Sequence, residues 1–161
     1  IAEATKRKEM EAYKVVFADA DTFNEMEMDA AKAEKLMADA GLPDVINAAL
    51  EAVDANGEVI GHVVTITTKD GYGGGIVLTV GIQLDGTVNG FSVVSIGGET
   101  IPKAFEEPFA SQFRGVQTEA FEKGTNVNYD SVAGASMTAD AVVNACNAAI
   151  VYINDIKGGA Q

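Results

Sequence analysis

Residues 75–96, GIVLTVGIQLDGTVNGFSVVSI, form two apolar, β-branched runs on either side of Asp85-Gly86. An Asp-Gly pair between such runs has the composition of a tight hairpin, because glycine takes the positive φ that primed turns demand. Upstream, Asn56-Gly57 and Asp70-Gly71 are turn dipeptides of the same kind. The segments between them, Val45 to Val53, Glu58 to Thr68, Gly75 to Leu84 and Thr87 to Ile96, read as a four-stranded antiparallel meander. Val45 to Val53 also admits a helix over Ile46 to Val53, since Ala, Leu and Glu favour that state.

Helical patterns flank the meander. In residues 1–18, Met10, Tyr13, Val16 and Phe17 fall on one side of a helix. Asp29 to Ala40 repeats the style through Ala30, Ala33, Leu36, Met37 and Ala40, then stops at Gly41 with Pro43 close behind. The methionines at this spacing read as gap-filling core. After the meander, Phe105, Phe109 and Phe113 give a short amphipathic helix with a core stripe, ending near Gly115. Residues 116–129 read as a polar connection. Ala139 to Ile156 is a long apolar helix in which Val142, Ala145, Cys146, Ala149, Tyr152, Ile153 and Ile156 recur at helical spacing. The expected fold class is α+β: an antiparallel β-meander packed with helices, a helical N-terminal extension over 1–44, and a main domain over 45–161 with a long C-terminal helix. Together they make one globular unit.

Composition narrows the function. The formal charge is −13 from 24 acidic and 11 basic residues, which argues against nucleic acid and against a basic patch docking on anionic lipid. Self-repulsion that favours solubility is the plain meaning of such a balance. One cysteine, Cys146, rules out an internal disulfide and a thiolate metal cluster, and its place on the apolar helix suits a buried, inert thiol. His62 is the sole histidine, which removes His-His metal sites and weakens a Ser-His-Asp hydrolase. No apolar run of the length of a membrane span occurs. The chain begins at Ile1, so a fragment or processed product is expected.

The chemistry concentrates in Asp130-Ser131-Val132-Ala133-Gly134-Ala135-Ser136-Met137-Thr138. Its middle residues are small or unbranched and admit a ligand to the backbone, and Ser136 or Thr138 lies at the start of the long helix. Free N–H groups and the positive dipole end favour a phosphate there. An ordinary N-cap serine fits the same residues, and no Glu or Gln follows to complete a capping box. Two other stretches carry weaker signals. Gly71-Tyr72-Gly73-Gly74-Gly75 reads as a flexible hairpin, lacking the Gly-Lys-Ser/Thr ending of a P-loop. Gly97-Gly98-Glu99-Thr100-Ile101-Pro102-Lys103-Ala104 reads as a strand-to-helix connection, with Thr100 as N-cap and Pro102 in the first turn.

The 130–138 segment resembles the flavinylation motif of the FMN-binding domain shared by the G subunit of Rnf electron-transport complexes and the C subunit of the sodium-translocating NADH:quinone reductase. That motif runs Asp, two variable residues, Ser, Gly, Ala, Thr, any residue, then Thr or Ser. Here Ala133 replaces Ser and Ser136 replaces Thr. The resemblance implies covalent FMN, esterified through its phosphate to Thr138, with Gly134, Ala135, Ser136 and Met137 around it. Glu99 and Thr100 match part of a second family motif that wraps the flavin, although Ile101 is inserted before Pro102, Gly97 stands at its His position, and Lys103-Ala104 replaces Gly-Leu. Tyr72 and Gly73 resemble its Gly-Tyr-x-Gly turn near the cofactor.

Function follows from that resemblance as an expectation. The chain would be an electron-carrying subunit of an Rnf-type ion-translocating membrane complex, on the extracytoplasmic face of a bacterial cell. An N-terminal membrane helix would precede it, the other subunits would be its partners, and a flavin transferase would mature it. No catalysis is expected from the isolated domain. The alternative is a flavin-free extracytoplasmic binding domain of the same fold, which Ala133 and the altered 99–104 loop would suit.

Overall fold

The structure, a computed structural model, describes residues 2–68, 75–95, 107–132 and 136–159, with side chains described from residue 9 and, in the last segment, from 138 to 158. Among these residues the chain runs α1 (Ala2–Val16), β1 (Thr22–Glu25), α2 (Ala30–Asp39), β2 (Val45–Val53), β3 (Val59–Thr68), β4 (Ile76–Gln83), β5 (Thr87–Ser95), a 3-10 turn (Ala110–Phe113), β6 (Arg114–Gln117), a second 3-10 turn (Asp130–Val132) and α3 (Ser136–Gly159). The strands form one antiparallel sheet in the order β1-β2-β3-β4-β5-β6. The expected α+β class and the four inner strands are therefore present, and 46–53 is strand.

Both faces of the sheet are covered, which is why β3 and β4 are apolar almost without alternation. On one face Val64, Ile66, Ile76, Leu78, Val80 and Ile82 pack with α3, joined by Met37 of α2 and by Phe109, Phe113 and Phe121. Ala139, Ala141, Ala145, Ala148 and Ala149 of α3 are fully buried. Alanine promotes the helix and keeps its buried face thin enough to lie close on the sheet. On the other face Tyr13, Val16, Phe17 and Ala20 meet Leu50, Ala52 and Val63. Each large apolar side chain removed from water in these layers contributes about 1.5–3 kcal/mol.

The local signals act as their chemistry dictates. At the β4–β5 turn Gly86 has φ +91°, and the Asp85 carboxylate accepts the Thr87 N–H at 2.9 Å. Asp29 caps α2 by accepting from the Lys32 N–H, and at the other end the Gly41 and Leu42 N–H groups donate to the Ala38 and Met37 carbonyls, a Schellman ending. The last turn of α1 comes so close to the sheet that a Cβ on Gly81 would lie 2.8 Å from the Val16 carbonyl oxygen. The Asn89 amide donates to that same oxygen at 2.8 Å.

Several expectations need correction. Met10 is 46% exposed, because the packing of α1 is carried by its last turn and the residues after it. The helix expected over Phe105 to Phe113 is a single 3-10 turn at Ala110–Phe113, and Phe105 itself lies outside the described residues. Pro108 brings no N–H, the Ser111 hydroxyl donates to the Pro108 carbonyl, and Arg114–Gln117 is drawn into pairing with the open edge of β5. Phe109 and Phe113 are nonetheless core, at 0% exposure. The 116–129 connection begins inside β6 and buries Phe121 and Val127. Thr22–Glu25 forms an edge strand on β2 that the sequence reading did not include, and α2 adds Met37 to the core packed on α3.

Candidate functional site

Side-chain amides build the approach to the 130–138 segment by gripping backbone at two points each. Gln112 accepts the Asn128 N–H at 2.7 Å and donates to the Asn128 carbonyl at 2.9 Å. Asn147 on α3 accepts the Phe121 N–H at 2.7 Å and donates to the Phe121 carbonyl at 3.0 Å. Asn128 accepts the Asp130 N–H at 2.7 Å, which starts the 3-10 turn that buries Val132.

Tyr129 then ties the two flanks of the segment together. Its ring stands edge-on to Phe109 with centroids 5.6 Å apart, Lys123 Nζ lies 4.6 Å from its centroid, and its hydroxyl donates to the Asp140 carboxylate at 2.7 Å. Burial first, and then the Asp140 carboxylate, push the Tyr129 phenol well above its usual range, so it remains a proton donor at neutral pH. Open grooves of about 540 and 510 Å³ lie on either side of the Tyr129–Lys123 ridge, and neither is lined by Thr138.

Thr138 is the third residue of α3 and is 2% exposed. Its N–H belongs to the first turn, whose donors have no acceptor within the helix. The Ser136 and Met137 backbones share that turn. Gly134, Ala135, Tyr72, Gly73, Glu99 and Thr100 lie outside the described residues.

Register and helix direction locate this turn on the fold. Thr68 pairs with Ile76 and Val77 with Ser95, so β3 ends, β4 begins and β5 ends at one end of the sheet. The Asn56-Gly57 and Asp85-Gly86 turns lie at the other end, where Lys157 of α3 donates to the Leu84 carbonyl at 2.7 Å. From Lys157 back to Thr138 the helix runs roughly 28 Å at 1.5 Å per residue, about the length of an eight-residue strand. The first turn of α3 therefore lies at the end from which the 69–75 and 96–106 segments leave. Thr68 stands at that end as well, 0% exposed, and its hydroxyl has no hydrogen-bond partner among the described residues. Sequence reading passed over it, because a threonine closing a strand looks like any other β-branched residue.

The remaining titratable candidates are structural. Cys146 is fully buried, and burial pushes its thiol well above the usual range, the expected inert state. His62 faces the opposite end of α3, and among the described residues no cluster of three or more His, Cys, Asp or Glu side chains is placed to hold a metal. No helix of the described residues is long and apolar enough to cross a membrane.

Residues 71–151, half of the chain, match the FMN-binding domain family. The chain is also 29% identical over 114 residues to the G subunit of the proton-translocating ferredoxin:NAD(+) oxidoreductase complex of Clostridium ljungdahlii (strain ATCC 55383 / DSM 13528 / PETC). That alignment covers 67% of this chain, which spans 61% of the length of the relative.

Proposed function

The chain belongs to the FMN-binding domain family, and on that footing we propose that it holds FMN covalently, as a phosphoester on Thr138, and serves as an electron-carrying subunit of an Rnf-type membrane complex. The observation that carries this reading is the position of Thr138. It lies in the first turn of a 24-residue helix, at the end of the sheet from which the segments bearing Tyr72-Gly73 and Glu99-Thr100 depart. The likeness to the clostridial G subunit supports the assignment to that type of complex, with its other subunits as partners.

The residues of the chain bind and shield, and the flavin when bound supplies the electron transfer. Free N–H groups of the first turn and the positive helix end favour the phosphate dianion. Thr138 is 2% exposed, so an ester at its Oγ1 would be shielded from water. Attachment is the work of a separate flavin transferase using FAD and a divalent metal. Thr138 Oγ1 would be the nucleophile toward the phosphorus of the FMN half of FAD, with AMP as the leaving group and the hydroxyl proton released. Permanent attachment suits a relay on the extracytoplasmic face of the cell membrane, where a flavin that dissociated would not be replaced.

Co-expression with a flavin transferase tests the reading. The wild-type chain is expected to run as a fluorescent band after denaturation, and Thr138→Val as a dark band of the same folded stability. Equal fluorescence in the variant would refute Thr138 as the acceptor. A dark wild-type chain would favour a flavin-free binding domain.

A further inference from the structure

We propose that the Thr68 hydroxyl is a hydrogen-bonding contact to the FMN carried by this domain, an inference that rests on the assignment of the cofactor to Thr138. Thr68 is the last residue of β3 and pairs with Ile76 of β4. Side chains alternate along a strand, and Val64 and Ile66 belong to the cluster packed on α3. Thr68 therefore faces the α3 side, at the end of the sheet where that helix begins.

Its environment makes the hydroxyl costly. The residue is 0% exposed, its cross-strand neighbour Ile76 is equally buried, and Oγ1 finds no hydrogen-bond partner among the described residues. A buried donor and acceptor left unmatched destabilises the fold, whereas a valine of the same shape would fill the position at no such cost. Thr79 also lacks a partner, but it stands opposite Thr65 on the α1 face, where Thr65 meets the Tyr13 hydroxyl, away from α3. Thr68 alone of the three stands on the face and at the end where the proposed cofactor site lies. FMN offers polar partners in its ribityl hydroxyls and in the carbonyls of its ring, and one of these meets the unmatched hydroxyl.

Thr68→Val and Thr68→Ser separate this role from a structural one. Each chain is prepared without flavin, and again after treatment with a flavin transferase, FAD and Mg²⁺, with FMN attachment measured by intact mass. Without flavin, Thr68→Val is expected to melt roughly 2–4 °C above wild type, as removal of an unmatched buried hydroxyl should produce in a domain of this size. With FMN attached, the rise in Tm that accompanies the flavin in wild type and Thr68→Ser is expected to be largely lost in Thr68→Val, with an altered flavin absorption spectrum. A Thr68→Val chain that melts below wild type without flavin, or that shows the wild-type flavin-dependent rise and spectrum, overturns the inference alone. Failure of the wild-type chain to gain the flavin mass overturns the proposed function, and this inference with it.

Discussion

His62 lies on β3 opposite Glu51, 8% exposed, with its Nδ1 buried and unpartnered among the described residues. Burial pulls its pKa below the ordinary 6.5, Glu51 works against that shift, and Lys157 adds to it. The unfolded chain therefore takes up the proton first as pH falls. The stabilisation from neutral His62 is complete above about pH 6.5 and is lost as pH drops from there toward the lower folded value. Urea midpoints are expected to fall between pH 7.5 and pH 5.5 in wild type and to stay level in His62→Gln over that window; parallel profiles would contradict the assignment. At this scale the sequence was informative where a residue type has one common fate. Cys146 on an apolar helix is buried as its neighbours required, and Thr138 was singled out by motif. Thr68 was invisible, because an unmatched hydroxyl is a property of surroundings that come from other strands.

The contact between α1 and the sheet depends on a missing side chain. A methyl group at Gly81 would lie 2.8 Å from the Val16 carbonyl and 2.9 Å from its Cβ, and Asn89 holds that carbonyl in place. Gly81→Ala should therefore lift the end of α1 and cost about 1–3 kcal/mol, the usual range for overpacking, measured by urea unfolding; an unchanged midpoint would show that α1 can move aside freely. The inner strands were legible because each was bounded by a turn dipeptide with its own chemistry. β1 and β6 were not, since four-residue edge strands such as Thr22–Glu25 and Arg114–Gln117 are made by the neighbour they pair with rather than by a pattern of their own. Phe109 and Phe113 misled for a related reason: i,i+4 spacing marked them correctly as core, but a 3-10 turn delivers them there as well as a helix would.

For the molecule as a whole, the site follows from how a meander alternates. Turns at Asn56-Gly57 and Asp85-Gly86 occupy one end of the sheet, so the end of β3, the start of β4 and the end of β5 occupy the other. Strand order alone carries that much, and it was available from the sequence. The direction of α3 was not, because helical periodicity says which face is buried and nothing about which way the axis points. The Lys157 contact with Leu84 supplies it, and brings Thr138 to the end where the two glycine-flanked segments leave the sheet. Peptide mapping by tandem mass spectrometry, after treatment of the folded chain with a flavin transferase, FAD and Mg²⁺, tests this most directly. One FMN phosphoryl adduct on Thr138 is predicted. An adduct on Ser131 or Ser136 with Thr138 unmodified, or an unmodified chain, would contradict it.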